Sequence, residues 1–457
     1  MALPVKKVEI EVDPNSGLQP FFTLDSGTYG VLDDPDSILG SLAYVDVTEY
    51  VVDISTDRGA TRILDKYNAG QASVTFDNTT RLFDPLNANS PYSEQLLPRR
   101  GIRVYSAGTP VFFGVVEDWN LNYDPSGNNT STALASDKFV LLAQQNLTAH
   151  TATSELSGTR INSVLSRPEV DWPVSEKDID TGQYVMQADV VSEGVVVLDY
   201  LNQVTQSEYG DIFMSKDGLL TFQDSTVGPS NTNLVTLSDD GTGIKFTEIQ
   251  VVFGAELMYN RVSLTRLNGT PQVAEDLTSQ AFYGITTFEQ TNLLNDNDVD
   301  VLNQANFIVN KFANPQYRFD TITVELAELS TLQQTQILAK ELTDTIFVRF
   351  TPNNIGDPIL KYAEIIGIKH YVGNFTHKVT FNLDTLDFAP FVLDDSEFGV
   401  LGGTSNTYLG AREENYDNAD TIYDDTIDYI GSIANSGITY DDNIIYDGDI
   451  VEGNRLG

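Results

Sequence analysis

Apolar residues recur at every second position in short runs along most of this chain, the spacing of strands that bury one face. Val8, Ile10 and Val12 alternate with Glu9 and Glu11, and Ala72-Ser73-Val74-Thr75-Phe76-Asp77 alternates strictly. Residues 102–105 and the aromatic, β-branched run 111–119 follow, and strands resume over 244–253 and 261–265 and continue to 388. The period becomes helical at Ile161, Val164 and Leu165 and at Val195, Leu198, Leu201 and Val204. It does so again over 299–312, a helix stopped before Pro315. Residues 212–215 and 219–223 form a hairpin across Lys216-Asp217-Gly218.

These elements predict a mainly β protein with an α+β insertion. Residues 1–50, acidic and broken by turn signals such as Asp13-Pro14-Asn15 and Asp33-Asp34-Pro35-Asp36, read as an N-terminal arm. Residues 51–150 read as a first β-barrel or sandwich, 151–245 as a small inserted α+β domain, and 246–390 as a second β domain carrying helix 299–312. Residues 391–457 form an acidic C-terminal extension. A length of 457 residues agrees with several domains.

The two β domains resemble each other. Strand 72–76, the lead 96–101 into strand 102–105, and strand 113–119 match strand 321–326, lead 338–345 and strands 346–348 and 366–371. In each, the last strand has an early glycine, Gly114 or Gly367, and a terminal aromatic, Trp119 or Tyr371.

Charge narrows the function. Lys and Arg number 26 against 66 Asp and Glu, a formal net charge of -40. Such a surface repels phosphate, which argues against sequence-independent binding to nucleic acid or anionic lipid. With no cysteine, disulfides and thiolate metal sites are excluded. The N-terminal strand lacks the apolar core of a signal peptide. Apolar runs such as 195–198 and 251–253 fall far below the roughly 20 residues that cross a bilayer. The expectation is a chain made and kept in the cytosol until it joins an assembly.

Candidate chemistry is sparse. Asn295-Asp296-Asn297-Asp298-Val299-Asp300 offers alternate oxygen ligands, but Val301 and Phe307 stand where a calcium loop needs Gly and Glu, so these residues read as a helix cap. His150, His370 and His377 are the only histidines and lack zinc spacing. His370 and His377 fall on adjacent strands of one hairpin and read as surface or rim residues. No nucleophile elbow, Walker loop or dinucleotide fingerprint occurs in a strand-to-helix context, and Gly241-Thr242-Gly243 reads as a turn. With 66 acids, some carboxylate pair always has glycosidase spacing, so that signal carries nothing. No catalytic, cofactor-binding or metal residue is assigned.

The C-terminal extension contains a near repeat, with Thr421-Ile422-Tyr423-Asp424-Asp425 echoed by Ile438-Thr439-Tyr440-Asp441-Asp442. Both clusters read as solvated turns in preference to cation sites. So acidic a stretch has little core of its own. The expectation is that both terminal stretches dock on neighbouring subunits by strand addition, with Tyr408, Tyr423, Tyr440 and Tyr446 as candidate anchors, or else form a hairpin packed on their own domain.

Several passages resemble phage minor tail proteins of the tail-tip or baseplate hub class. They are Phe83-Asp84-Pro85-Leu86, Ser90-Pro91-Tyr92-Ser93, Leu97-Pro98-Arg99-Arg100 before Gly101-Ile102-Arg103-Val104, and the strand 112–119. Arg99-Arg100 departs from the Pro-Gly or Arg-Gly usual there. Tyr259-Asn260-Arg261-Val262, Asn314-Pro315-Gln316-Tyr317-Arg318, Leu342-Thr343-Asp344 and the run 393–401 continue the likeness, which covers 50–402. The resemblance implies a non-enzymatic virion protein of the tail tip, assembled in the host cytoplasm. Its homotrimer would have two tail-tube-like domains lining the DNA channel, where acidic side chains would keep DNA from sticking. Implied partners are a distal tail protein or tail tube ring, the tape measure protein and a central fibre or spike. The alternatives are a peripheral baseplate or receptor-binding protein and, behind it, a tail-associated cell-wall hydrolase.

Overall fold

The computed structural model describes residues 2–13, 43–62, 64–225, 234–386, 389–390 and 407–408. The chain opens with strands β1 (Lys6–Val12), β2 (Ala43–Asp46), β3 (Val51–Gly59), β4 (Asn68–Asp77), β5 (Gly101–Ser106), β6 (Thr109–Asn122) and β7 (Thr130–Ser136). Alternation does what the sequence predicts: Ile54, Val74, Phe76, Ile102, Val104 and Ala133 point into one core. That core also holds Val8, Ile10 and Val12, because β1 pairs with both β5 and β2. Residues 6–12, read as part of an arm, are thus a strand of the main sheet.

After α1 (Phe139–Gln144) comes the expected α+β insertion. It carries β8 (His150–Ala152), β9 (Glu155–Leu156), α2 (Ser157–Leu165), β10 (Lys177–Ile179), β11 (Val185–Met186), β12 (Asp189–Val191), α3 (Val197–Glu208), β13 (Asp211–Met214) and β14 (Leu220–Gln223). Helices α2 and α3 bury Ile161, Val164, Leu165, Leu201 and Val204 of the positions with helical spacing, while Leu198 is half-buried and Val195 precedes α3. Strands β13 and β14 are the expected hairpin.

The second β region starts at β15 (Val235–Ser238) and β16 (Glu248–Gly254). It is interrupted by β17 (Arg261–Arg266), β18 (Gln272–Glu275), α4 (Leu277–Tyr283), β19 (Thr287–Leu293) and α5 (Asp298–Phe312). The three strands form a separate sheet on which α5 lays Val301, Ala305, Ile308 and Phe312, giving this unit its own core. The main sheet then resumes with β20 (Gln316–Glu325), α6 (Thr331–Ala339), β21 (Thr345–Phe350), β22 (Ile359–Val372) and β23 (His377–Leu386). Helix α6 occupies part of what reads from sequence as a plain lead into a strand; Ser330 and Gln333 close a capping box at its start. The last pair is β24 (Ala389–Pro390) with β25 (Thr407–Tyr408).

Both β regions share one sheet, in the order β16-β20-β23-β22-β3-β4-β7-β6-β5-β1-β2, with β21 and then β15 branching from β22. Among the described residues this path is open and no barrel closes.

Candidate assembly interface

The sheet order contains the same path twice. Strands β3-β4-β7-β6-β5-β1 recur as β16-β20-β23-β22-β21-β15, each member in the same chain order. The registers agree as well. Ser55 pairs with Ser73, Ser73 with Leu134 and Leu134 with Asp118; in the other module Gln250 pairs with Thr321, Thr321 with Asn382 and Asn382 with Gly367. Both long strands bulge one residue earlier, between Val116 and Asp118 and between Ile365 and Gly367. One direction differs: β1 is antiparallel to β5, whereas β15 is parallel to β21.

This correspondence corrects the sequence alignment in detail. It equates Gly367 with Asp118, so Gly114 and Gly367 are not counterparts, and Trp119 matches Ile368. The glycine match slid along the strand by four residues, and the match of Trp119 with Tyr371 slid by three, which sets a core-facing position against an exposed one.

The modules join inside the chain. The second half of β22 pairs with β3 antiparallel, from Gly367 opposite Gly59 to Val372 opposite Ile54. Gly59 sits at φ 98°, and a Cβ there would lie 2.4 Å from the Ile366 carbonyl oxygen. The Ala60 amide donates to that oxygen at 2.7 Å, and Asn382 Nδ2 donates to the Ala60 carbonyl at 3.0 Å. Beneath the joint, Glu341 accepts from Arg58 Nη2 at 2.8 Å and from the Lys216 amide at 2.8 Å. Lys216 Nζ donates to the carbonyls of Leu338, Ala339 and Lys340, satisfying the C-terminal end of α6. One carboxylate therefore ties both modules to the insertion. Nothing local in the sequence marks Arg58, Lys216 or Glu341, since their partners lie more than a hundred residues away.

His370 and His377 also belong to this joint. The structure overturns their assignment to the surface: they are 7% and 1% exposed, with His370 Nδ1 3.1 Å from His377 Nε2. Packing of β3 across β22 and of Ser106 against His377 covers them, and neither is adjacent in sequence. Burial holds His370 well below the ordinary imidazole value, with His377, Arg58 and Lys216 adding in the same direction. Burial lowers His377 to about 4 against the opposing charge of Glu325.

The same topology leaves two edges open. Among the described residues β16 pairs only with β20, and β6 beyond its bulge pairs only with β7. These are the counterparts of β3 and of the second half of β22, which meet at the internal joint. Phe253 on β16 is 70% exposed, while Trp119 on β6 packs against Phe76 and Phe83.

Other candidates fall elsewhere. Asn297 caps α5 by accepting from the Asp300 amide at 3.0 Å, Asp298 pairs with Arg266, and Asn295 donates to the Ser207 carbonyl. Among the described residues no group of three or more His, Asp or Glu is placed to hold a metal ion. Tyr408 lies on β25, opposite Pro390; Tyr423, Tyr440 and Tyr446 lie outside the described residues.

No protein-family model and no curated protein matches the sequence. Solved structures do match. A tail protein from Neisseria meningitidis superposes with a TM-score of 0.53 at 12% identity, over 76% of this chain and 94% of that one. The 43 kDa tail protein of prophage MuSo2 from Shewanella oneidensis gives 0.49 at 13% identity, over 75% and 94%. An Escherichia coli type VI secretion component described as similar to T4 tail proteins gives 0.41 at 9%, over 74% of each chain. The fold is that of the Neisseria tail protein.

Proposed function

We propose that this chain is a structural subunit of a phage-type tail, three copies of which form the hub at the distal tip. The hub would join a six-fold tail tube or distal tail ring, and the tape measure protein within it, to a central fibre or spike. The duplicated module carries this reading: two equivalent sheets per chain let a trimer present six equivalent units, so three-fold symmetry meets six-fold symmetry without mismatch. The net charge of -40 suits a wall along which DNA passes without adhering. No enzymatic step is assigned.

Quantitative mass spectrometry of purified particles tests the reading. It predicts three copies of this chain per particle. Six or more copies would instead indicate a peripheral baseplate or receptor-binding protein. A second proposal concerns the C-terminal extension, whose anchors Tyr408, Tyr423, Tyr440 and Tyr446 would dock on neighbouring subunits by strand addition. Normal trimers and particles from a chain ending at Phe391 would refute that docking.

A further inference from the structure

We infer that the open edge of β16 in one subunit pairs antiparallel with the outer half of β6 in the next, in the register of the internal joint. This rests on the trimeric reading and specifies its interface. The template is the β22–β3 joint, where Tyr371 stands opposite Ser55. The matched ladders equate 367–372 with 118–123 and 54–59 with 249–254. The joint between subunits therefore places Ile249 opposite Tyr123, Gln250 opposite Asn122, Val251 opposite Leu121, Val252 opposite Asn120, Phe253 opposite Trp119 and Gly254 opposite Asp118.

The side chains support this register independently of the backbone that defines it. Ile249, Val251 and Phe253 fall on one face with Trp119, Leu121 and Tyr123, so every pair on that face is apolar on both sides. Ile249, Val251 and Trp119 already pack against the main core, so the face is the one that continues it. Phe253 and Tyr123, 70% and 48% exposed in the single chain, each gain an apolar neighbour. A slip by one residue would set all three apolar side chains of β16 against Asp118, Asn120 and Asn122. Each strand also ends on glycine, Gly59 in β3 and Gly254 in β16. Three copies of the run β16-β20-β23-β22-β3-β4-β7-β6 then close one continuous sheet, with no edge of that run left open.

The absence of native cysteine makes the register directly testable. Two double variants of the full chain, Asn120→Cys with Val252→Cys and Leu121→Cys with Val251→Cys, sample both kinds of antiparallel position. A control, Asn120→Cys with Val251→Cys, directs the two thiols to opposite faces. After mild oxidation of assembled particles, at least one matched pair should give a ladder ending at three chains on a non-reducing gel. Its yield should exceed the control by about tenfold, because disulfide geometry tolerates little displacement. Equal yields from control and matched pairs, or no ladder from either matched pair in particles holding three copies, would overturn the register while the hub reading stands. A copy number other than three would overturn both.

Discussion

Replacing His377 with Gln should make the protein less sensitive to acid. In the folded chain His377 is buried between His370 and Ser106, and its proton affinity is lowered to about 4. In the unfolded chain it titrates near 6.5. Above that value the imidazole is neutral in both states and contributes no pH dependence. As the pH falls from about 6.5 to 4, only the unfolded chain takes up the proton, so folding stability is lost across that window. The separation of 6.5 and about 4 corresponds to roughly 3 kcal/mol by pH 4. His370 acts in the same direction. Asp137 acts in the opposite one, because burial raises its carboxyl to about 7 and the folded state takes up that proton first. The wild-type curve alone therefore mixes opposing contributions, whereas the difference between wild type and His377→Gln cancels Asp137. By urea unfolding, the variant should be less stable at pH 7 by about 1 kcal/mol, for the lost polar contacts. By pH 4 that difference should have moved by roughly 3 kcal/mol in the variant's favour. Parallel curves between pH 7 and pH 4 would refute the buried, neutral assignment.

Gly59→Ala should cost about 2–4 kcal/mol, since the new Cβ combines a left-handed φ with contact at the Ile366 carbonyl; an unchanged urea midpoint would contradict this. Arg160, 1% exposed, donates to Glu155 at 2.7 Å, to the Tyr200 hydroxyl at 2.8 Å and to the Gln187 carbonyl at 3.0 Å. Arg160→Leu strands those acceptors and should destabilise the insertion by about 3–5 kcal/mol, seen as new proteolytic cuts within 150–225. Asn297→Ala removes the cap of α5 and should lower the unfolding free energy by about 1 kcal/mol, whereas no change would mean the Asp300 amide finds another acceptor.

Elements whose information is local were legible in the sequence. Helix α5 follows from the spacing of Val301, Ala305, Ile308 and Phe312, and the β13–β14 hairpin from Lys216-Asp217-Gly218. Helix α6 escaped because Gln334 is among its buried residues, which blurs the apolar stripe; the Ser330 and Gln333 capping box was the available signal. Strand β1 was legible as a strand but not as a member of the sheet, because its partner β5 lies about ninety residues on, a separation on which local pattern is silent. The same holds for the buried histidines and for Glu341. The module likeness was visible because alternation is periodic, and misaligned for the same reason: only the pairing of Leu134 with Asp118 and of Asn382 with Gly367 sets the two copies in register.

A three-dimensional reconstruction of the particle's tail tip, with this chain marked by a fused label, tests the central claim most directly. Three labels around the tail axis, on a collar of six like sheet units continuous with the tube, are the predicted result. Labels on peripheral appendages, or a collar in which the two modules of one chain occupy unlike positions, would contradict it.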